Sequence, residues 1–153
     1  MKVITIMQPF ATLIALGEKH FETRCWPTKY RGDLLIHAGK GIQYMHLCEL
    51  DSFGCILEKH GYTTRDKLPL GLIIAKVNLA DCLKVKESTL DFGIGITKAV
   101  LEDDTEIIGN ELKFGDYTKG RYAWKLDDTE MLKEPIPVKG QQRLWNYGFK
   151  EDK

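Results

Sequence analysis

Basic, acidic and aromatic side chains concentrate in one stretch near the amino terminus, between residues 17 and 40. Guanidinium and ammonium groups bind phosphate and aromatic rings stack on unpaired bases, so this combination is typical of a surface that binds nucleic acid. The alternative interpretation is a solvated charged face with aromatic side chains in the core. The residues concerned are Lys19, Glu22, Arg24, Trp26, Lys29, Tyr30, Arg31, His37 and Lys40.

The candidate catalytic pair is Lys19 and Glu22. Lys19 can bind phosphate as a point charge, or act as a base where burial lowers its pKa, and the alternative is an ordinary surface lysine. Glu22 and Arg24 are two residues apart, so on a strand they share one face and can form an ion pair. In a cleft that pair would direct Arg24 towards phosphate and hold Glu22 for acid or base catalysis, and elsewhere it would be a structural salt bridge.

The remaining residues of the stretch are candidates for binding bases and phosphates. Trp26 and Tyr30 offer stacking platforms, although Trp26 fits the core equally well. Arg31 lies in a predicted turn, where it can donate two parallel hydrogen bonds to a phosphate or simply be solvated. His37 is favoured as a hydrogen-bonded structural histidine over a catalytic base, and Lys40 extends the basic rim. The predicted nucleic-acid-binding set is Lys19, Arg24, Trp26, Tyr30, Arg31, His37 and Lys40.

The charge balance excludes a protein that coats nucleic acid through bulk charge. The 153 residues contain 22 Lys and Arg against 22 Asp and Glu, and the formal net charge is zero. Residues 1–40 hold six basic against three acidic side chains, a balance of +3, and residues 41–153 hold sixteen against nineteen, a balance of −3. A nucleic-acid site must therefore be a local patch.

The sequence lacks the motifs that indicate a metal, a nucleotide cofactor or a membrane segment. The four cysteines include no C-x-x-C pair, the four histidines have no metal-binding spacing, and neither G-x-x-x-x-G-K-[ST] nor G-x-G-x-x-G occurs. No apolar run is long enough for a transmembrane helix, and the first residues do not form a secretion signal. We therefore expect a cytoplasmic protein without metal, cofactor or membrane partner.

Apolar periodicity and chain breakers predict one α+β domain over residues 1–153. A helix is predicted over residues 10–16, and a helical insert over 42–60, where apolar side chains recur at three- and four-residue spacing. Residues 87–118 read as an acidic variable segment of loops and exposed strands. Irregular strands with glycine and proline turns favour a small, closed or partly closed mixed β-barrel. Strands are predicted near residues 3–7, 21–26, 34–38, 72–83 and 122–126, followed by an aromatic tail of Trp145, Tyr147 and Phe149 that packs on the body.

Several blocks of the chain resemble, in the same order, those of the ASCH domain family, named for activating signal cointegrator homology. The most characteristic block is G-x-K-x-x-E-x-R, from Gly17 to Arg24. Residues 42–65 and 87–118 lie outside the resemblance. The other blocks are QPFA at 8–11, YRG at 30–32, IHA-x-K at 36–40, LP-x-G-x-I at 68–73, DC at 81–82, YAW at 122–124 and PIPVKG at 135–140.

The resemblance implies a PUA-like fold, a small mixed β-barrel with flanking helices, in which the G-x-K-x-x-E-x-R block lies in a cleft. It also implies binding of RNA or another nucleic acid, and we expect a single-stranded or flipped nucleotide in the basic cleft.

Two other functions stay open. Some family members are hydrolases, so the first alternative is hydrolysis of RNA or of a modified nucleoside. Lys19 matches the catalytic lysine of a bacterial acetylcytidine amidohydrolase, whereas Glu22 occupies the position of its threonine. The second alternative is a protein-interaction adaptor that binds a basic partner through residues 102–116. The sequence does not decide the oligomeric state.

Overall fold

The computed structural model describes residues 1–148, and a mixed sheet of eight strands runs through them. Three short helices and two 3₁₀ turns lie in the connections between these strands. The strands are β1 (Lys2–Ile6), β2 (Phe21–Arg24), β3 (Gly32–Ala38), β4 (Leu72–Asp91), β5 (Gly95–Leu101), β6 (Glu106–Ile107), β7 (Tyr122–Pro137) and β8 (Leu144–Asn146). The helices are α1 (Phe10–Ala15), α2 (Asp51–Lys59) and α3 (Gly109–Lys113), and the 3₁₀ turns are Met45–Glu49 and Arg65–Lys67.

Hydrogen bonding orders six of the strands as β2-β7-β4-β3-β1-β8, while β5 joins the outer part of β4 and carries β6. β1 and β3 are parallel, and the other pairs are antiparallel. This architecture confirms the predicted α+β class. The predicted barrel is not confirmed, because β2 and β8, with four and three residues, end the order and no pairing among the described strands joins them.

A single strand of 20 residues, β4, belongs to two parts of the sheet. Its first part pairs with β3 and β7, and its last part, from Val85 to Asp91, pairs with β5. Register shifts against β7 give it the local irregularities that let a long strand bend. The sequence predicted this strand as far as Leu83. Most of its extension and the whole of β5 lie in the segment at 87–118, which was predicted as loops and exposed strands without assigned positions.

The side chain of Gln8 anchors the start of α1. Its Oε1 accepts a hydrogen bond from Thr12 N at 2.9 Å, and its Nε2 donates to Thr12 Oγ1 at 2.7 Å and to Pro69 O at 2.9 Å. These bonds satisfy an amide that is fully buried. Gly17, with φ of 75°, follows the predicted helix and turns the chain towards β2.

The predicted helical insert at residues 42–60 is present as the first 3₁₀ turn and α2. Phe53 and Leu57 of α2 are buried against Leu13 and Phe114. A Cβ atom at residue 54 would lie 2.7 Å from the carbonyl oxygen of Cys48, so only glycine fits there. The insert therefore packs against α1 and the end of α3.

The tail packs on the body as predicted for its first two aromatic residues. Trp145 on β8 is buried with Val3 and Leu35, and Tyr147 packs against the same cluster. Phe149 lies outside the described residues. Within residues 1–148 no helix is long and apolar enough to cross a membrane.

Candidate functional site

Three charged side chains of one sequence block are in contact at β2. Arg24 donates hydrogen bonds to Glu22 Oε2 from Nε at 3.0 Å and from Nη2 at 2.8 Å. The Nζ atom of Lys19 lies 3.8 Å from Glu22 Oε1, so the carboxylate is held between two cations. The ion pair that the spacing of Glu22 and Arg24 predicted is confirmed.

Lys19 is fully buried, which excludes the interpretation as an ordinary surface lysine. Its Nζ donates to the carbonyl oxygen of Phe114 at 2.5 Å and lies 5.6 Å from the centre of the Phe10 ring. Burial lowers the pKa of this ammonium, and the charge of Glu22 opposes that shift. Because its side chain has no exposed surface, Lys19 could contact a ligand directly only after a local opening.

Glu22 and Arg24 line a hollow of about 630 Å³, which we call the first hollow. Arg24 is fixed further by a hydrogen bond from Nη2 to the carbonyl oxygen of Thr5 at 3.0 Å. The opposite wall contains Arg121, which donates from Nε to the carbonyl oxygen of Asp116 at 3.0 Å. Other side chains that line the first hollow are those of Gln43, Tyr44, His46 and Lys113.

The sequence analysis did not identify Arg121 as a site residue. Arg121 lies 97 positions after Arg24, and the two come together because Arg24 pairs with Tyr122 across β2 and β7. A basic residue directly before a predicted strand is a weak signal by itself. Arg121 could have been identified only from the antiparallel register of β2 and β7, which the sequence does not reveal.

His37 lies beyond Thr5 and is fixed by a chain of hydrogen bonds. Trp145 Nε1 donates to Thr5 Oγ1 at 3.1 Å, and the Thr5 hydroxyl then donates to His37 Nδ1 at 3.2 Å. His37 Nε2 lies 2.7 Å from the carbonyl oxygen of Val138, which can only accept, so Nε2 carries the proton. Burial lowers the pKa of His37, in keeping with a neutral ring. These contacts agree with the interpretation of His37 as a structural histidine.

His37 and Lys40 line another hollow of about 730 Å³, which we call the second hollow. Lys139 adds a second cation, and Gln141 and Gln142 add two amides. No Asp or Glu stands among the described residues that line it. The sequence analysis included Lys139 in the PIPVKG block but gave it no role, and it did not consider either glutamine.

Glycines bring the backbone close to the second hollow. A Cβ atom at Gly140 would lie 2.8 Å from Cε1 of His37 and 3.0 Å from Thr5 Oγ1, so a side chain there would displace the hydrogen-bonded histidine. Gly39 and Gly71 line the same hollow. The IHA-x-K, LP-x-G-x-I and PIPVKG blocks therefore meet in space.

The predicted stacking residues Trp26 and Tyr30 line neither of these two hollows. The Trp26 ring packs edge-on against Trp124, with 4.8 Å between centroids, and the guanidinium of Arg143 lies 4.9 Å from its centre. The Tyr30 hydroxyl donates to the carbonyl oxygen of Asp33. Trp26 is half-buried against the hydrophobic cluster that contains Trp124. The prediction of a core position and the prediction of an accessible ring are therefore each partly correct.

Arg31 lies apart from the other predicted cations. Its Nη1 donates to the carbonyl oxygens of Thr28 and Tyr30, and its Nη2 lies 3.4 Å from Asp81 Oδ1. Arg31 precedes β3, whereas His37 is near the end of that strand, and at about 3.3 Å per residue they are roughly 20 Å apart. The structure thus brings together Lys19, Glu22 and Arg24, places His37 and Lys40 next to them, and separates Arg31 from both groups.

The six carboxylates between residues 102 and 116 each have a hydrogen bond or an ion pair within the chain, and all but that of Glu111 are exposed. The segment also exposes the β4–β5 turn, where Leu90, Phe92 and Ile94 project into solvent. Glu102 accepts from Lys84 N, Asp103 from Thr105 N and Glu111 from His20 N, while Asp104 pairs with Lys86, Glu106 with Lys98 and Asp116 with Arg121.

Other parts of the described chain offer less chemistry. No three His, Cys, Asp or Glu side chains in residues 1–148 are placed to hold a metal ion, and the four cysteines are free thiols. A third hollow, of about 480 Å³, lies between α2 and residues 62–68 and contains none of the predicted site residues. The first and second hollows are therefore the candidate functional site.

Comparison with known proteins places this fold and site in a family. A family model described as "ASCH domain" matches residues 4–135, which is most of the chain. The chain belongs to the ASCH domain family.

Two curated relatives carry the name activating signal cointegrator 1. The one from Mus musculus is 33% identical over 85 residues, and the one from Homo sapiens is 32% identical over 85 residues. The matched region is 55% of this chain and 15% of each relative, so the similarity concerns one part of a much longer protein.

Proposed function

We propose that this protein binds single-stranded nucleic acid, with RNA as the preferred candidate, and that the first hollow holds an unpaired or flipped nucleotide. The observation that carries the proposal is the fixed position of Arg24. Glu22 and the carbonyl oxygen of Thr5 bind its Nε and Nη2, and its hydrogen bonds within the described residues leave Nη1 open. A guanidinium held in this way is oriented for phosphate before the ligand arrives.

The first hollow also offers a stacking surface. Tyr44 is 44% exposed, and its ring packs edge-on against Phe10 with 5.7 Å between centroids. It is therefore held in place while much of its surface stays accessible for base stacking. Lys113, which is exposed and lines the same hollow, adds a cation for the phosphate backbone.

The test is binding of a labelled ten-nucleotide single-stranded RNA at low salt, measured by fluorescence anisotropy. We expect Tyr44→Ala to weaken binding about tenfold, within the range for one stacked base. Arg31→Ala is the matched control, because Arg31 lines neither hollow, and it should change binding less than about twofold. Absence of binding by the wild type, or a larger loss in Arg31→Ala than in Tyr44→Ala, would contradict the proposal.

The second candidate function is hydrolysis at the same hollow. It is supported by the contact of Lys19 with Glu22 and by the lowered pKa of the Lys19 ammonium, which are features of acid and base catalysts. Turnover of RNA and of acetylcytidine by the wild type, lost in Lys19→Met, would support this candidate. No product from either substrate would remove it and leave binding as the function.

A further inference from the structure

The end of strand β1 separates the first hollow from the second. Thr5 and Met7, at the end of β1, line both hollows. The carbonyl oxygen of Thr5 binds Arg24 of the first hollow, while its hydroxyl binds His37 of the second. A flexible ligand that crosses the end of β1 at Thr5 and Met7 could therefore occupy both hollows.

The walls of the second hollow suit a flat ring. Met7, Pro137 and Val138 supply apolar surface. Apolar walls with a few placed polar groups are the usual form of a small-ligand site. These walls can pack against a planar ring.

The polar groups of the second hollow indicate which kind of planar ring could bind there. Both nitrogens of His37 are engaged, by Thr5 and by Val138, so His37 offers no polar atom to a ligand. The groups that remain are the side-chain amides of Gln141 and Gln142, both exposed at the rim. An amide donates and accepts at adjacent atoms, which matches the edge of a nucleobase.

The charged side chains indicate which of the two hollows favours a phosphate group. Lys40 and Lys139 are exposed at the rim of the second hollow, and no carboxylate among its described lining residues neutralises them. In the first hollow, by contrast, Glu22 pairs with Arg24 and Asp116 pairs with Arg121. The second hollow is thus the more attractive of the two for an anion.

We propose that the second hollow is the binding site for the nucleotide adjacent to the one in the first hollow, so that the protein grips two successive nucleotides of a single strand across Thr5. Gln141 and Gln142 contact the edge of the second base, and Lys40 and Lys139 contact its phosphate. This inference rests on the proposed function and adds to it a site size and a set of residues for base recognition.

The experiment compares a nucleoside monophosphate with a dinucleotide carrying a 5′ phosphate, each titrated by calorimetry. The dinucleotide should bind at least about tenfold more tightly than the mononucleotide, because the second base and phosphate add contacts. In the double variant Gln141→Ala and Gln142→Ala, dinucleotide affinity should fall about tenfold while mononucleotide affinity stays unchanged. Lys139→Ala should also weaken the dinucleotide, and Lys133→Ala, an exposed lysine of β7 outside both hollows, is its control.

The outcomes separate this inference from the proposed function. If Tyr44→Ala weakens RNA binding but the double glutamine variant leaves the dinucleotide unaffected, the proposed function stands and the second site is wrong. If the glutamine variant abolishes mononucleotide binding as well, the second hollow is an independent site for a free nucleotide, and binding of two successive nucleotides is overturned. If neither ligand nor the longer RNA binds, both proposals fail together.

Discussion

The first and second hollows lie on either side of Thr5 and hold their charges in opposite ways. In the first, Arg24 and Arg121 each lie against a carboxylate, and Lys19 is buried behind Glu22. In the second, Lys40 and Lys139 stand at the rim without an acidic neighbour in the lining. Paired charges fix geometry but contribute little net attraction for an anion, whereas unpaired exposed lysines attract phosphate without being fixed in place.

This contrast predicts that the paired charges of the first hollow contribute mainly to stability, and that the lysines of the second hollow contribute mainly to binding. Apart from the exposed Lys113, the charges of the first hollow are partly buried in contact with one another, so removing one leaves its partner without compensation. Charges of the second hollow are solvated, so removing them changes what the surface attracts and leaves the fold intact. The four predictions below test this division, from the largest expected effect to the smallest.

Glu22→Gln should destabilise the protein much more than Lys19→Met. Removing the Glu22 carboxylate leaves the buried Lys19 ammonium without its nearest counter-charge, with only the more distant Glu111 remaining, and the expected cost is about 3 kcal/mol. Lys19→Met removes the buried cation itself and leaves Glu22 paired with Arg24, so its cost should be at most about half of that, mainly the lost hydrogen bond to Phe114. Urea unfolding of both variants measures the difference, and a larger loss in Lys19→Met would contradict it.

The double variant Lys40→Ala and Lys139→Ala should flatten the salt dependence of single-stranded RNA binding. Each phosphate contact contributes about 0.7 to the slope of log K against log salt, so the slope should fall by about 1.4. Thermal unfolding should be unchanged, since both lysines are exposed. Lys133→Ala should leave the slope as it is, and an equal decrease in that control would show that the lysines act only through overall charge.

His37 should make stability depend on pH below about 6.5, its ordinary pKa. Burial lowers the pKa of His37 in the folded state, so as pH falls the unfolded chain takes up the proton first and stability decreases. The decrease is at most about 1.4 kcal/mol per pH unit and ends below the folded-state pKa. His37→Gln should remove this component of the pH dependence, and His46→Gln, at an exposed position, should not.

Tyr117→Phe should stabilise the protein slightly. The ring of Tyr117 lies next to Gly115, which lines the first hollow, and its hydroxyl is buried with no hydrogen-bond partner among the described residues. Removing an unsatisfied buried hydroxyl should raise the free energy of unfolding by up to about 1 kcal/mol. A loss of similar size would show that the hydroxyl has a partner, and that the interior behind the first hollow is better satisfied than its direct contacts suggest.

Much of the fold could be predicted from the sequence because its signals are local. Gly17 marks the end of α1, and the apolar run from Leu72 predicts the first part of β4. The second part of β4 was not predicted because Val85 is the only buried residue between residues 84 and 91, so its hydrogen bonds to β5 are not matched by a pattern of apolar side chains. The predicted closed or partly closed barrel is not confirmed, and a related reason applies, since strand order does not follow from strand number.

The site could be predicted only where its contacts are local in sequence. Glu22 and Arg24 meet because a strand repeats every two residues, which spacing alone reveals. Arg31 belongs to the same basic stretch, yet β3 carries the chain away from it before His37 is reached. Residues from the last third of the chain, such as Arg121 and Gln141, enter the site through antiparallel pairing and loop position, which no local pattern encodes.

Because β4 is long, it separates the second hollow from an exposed apolar turn to which a partner protein could bind. The strand runs from Leu72, directly after Gly71 in the wall of the second hollow, to Asp91 beside the exposed Phe92, a path of roughly 60 Å of extended chain. One end of β4 therefore adjoins the proposed nucleotide site, and the other carries the exposed turn at Phe92. A partner protein that bound the Phe92 end would leave the proposed nucleotide site uncovered. Binding of that partner and binding of a nucleotide would then be sterically compatible.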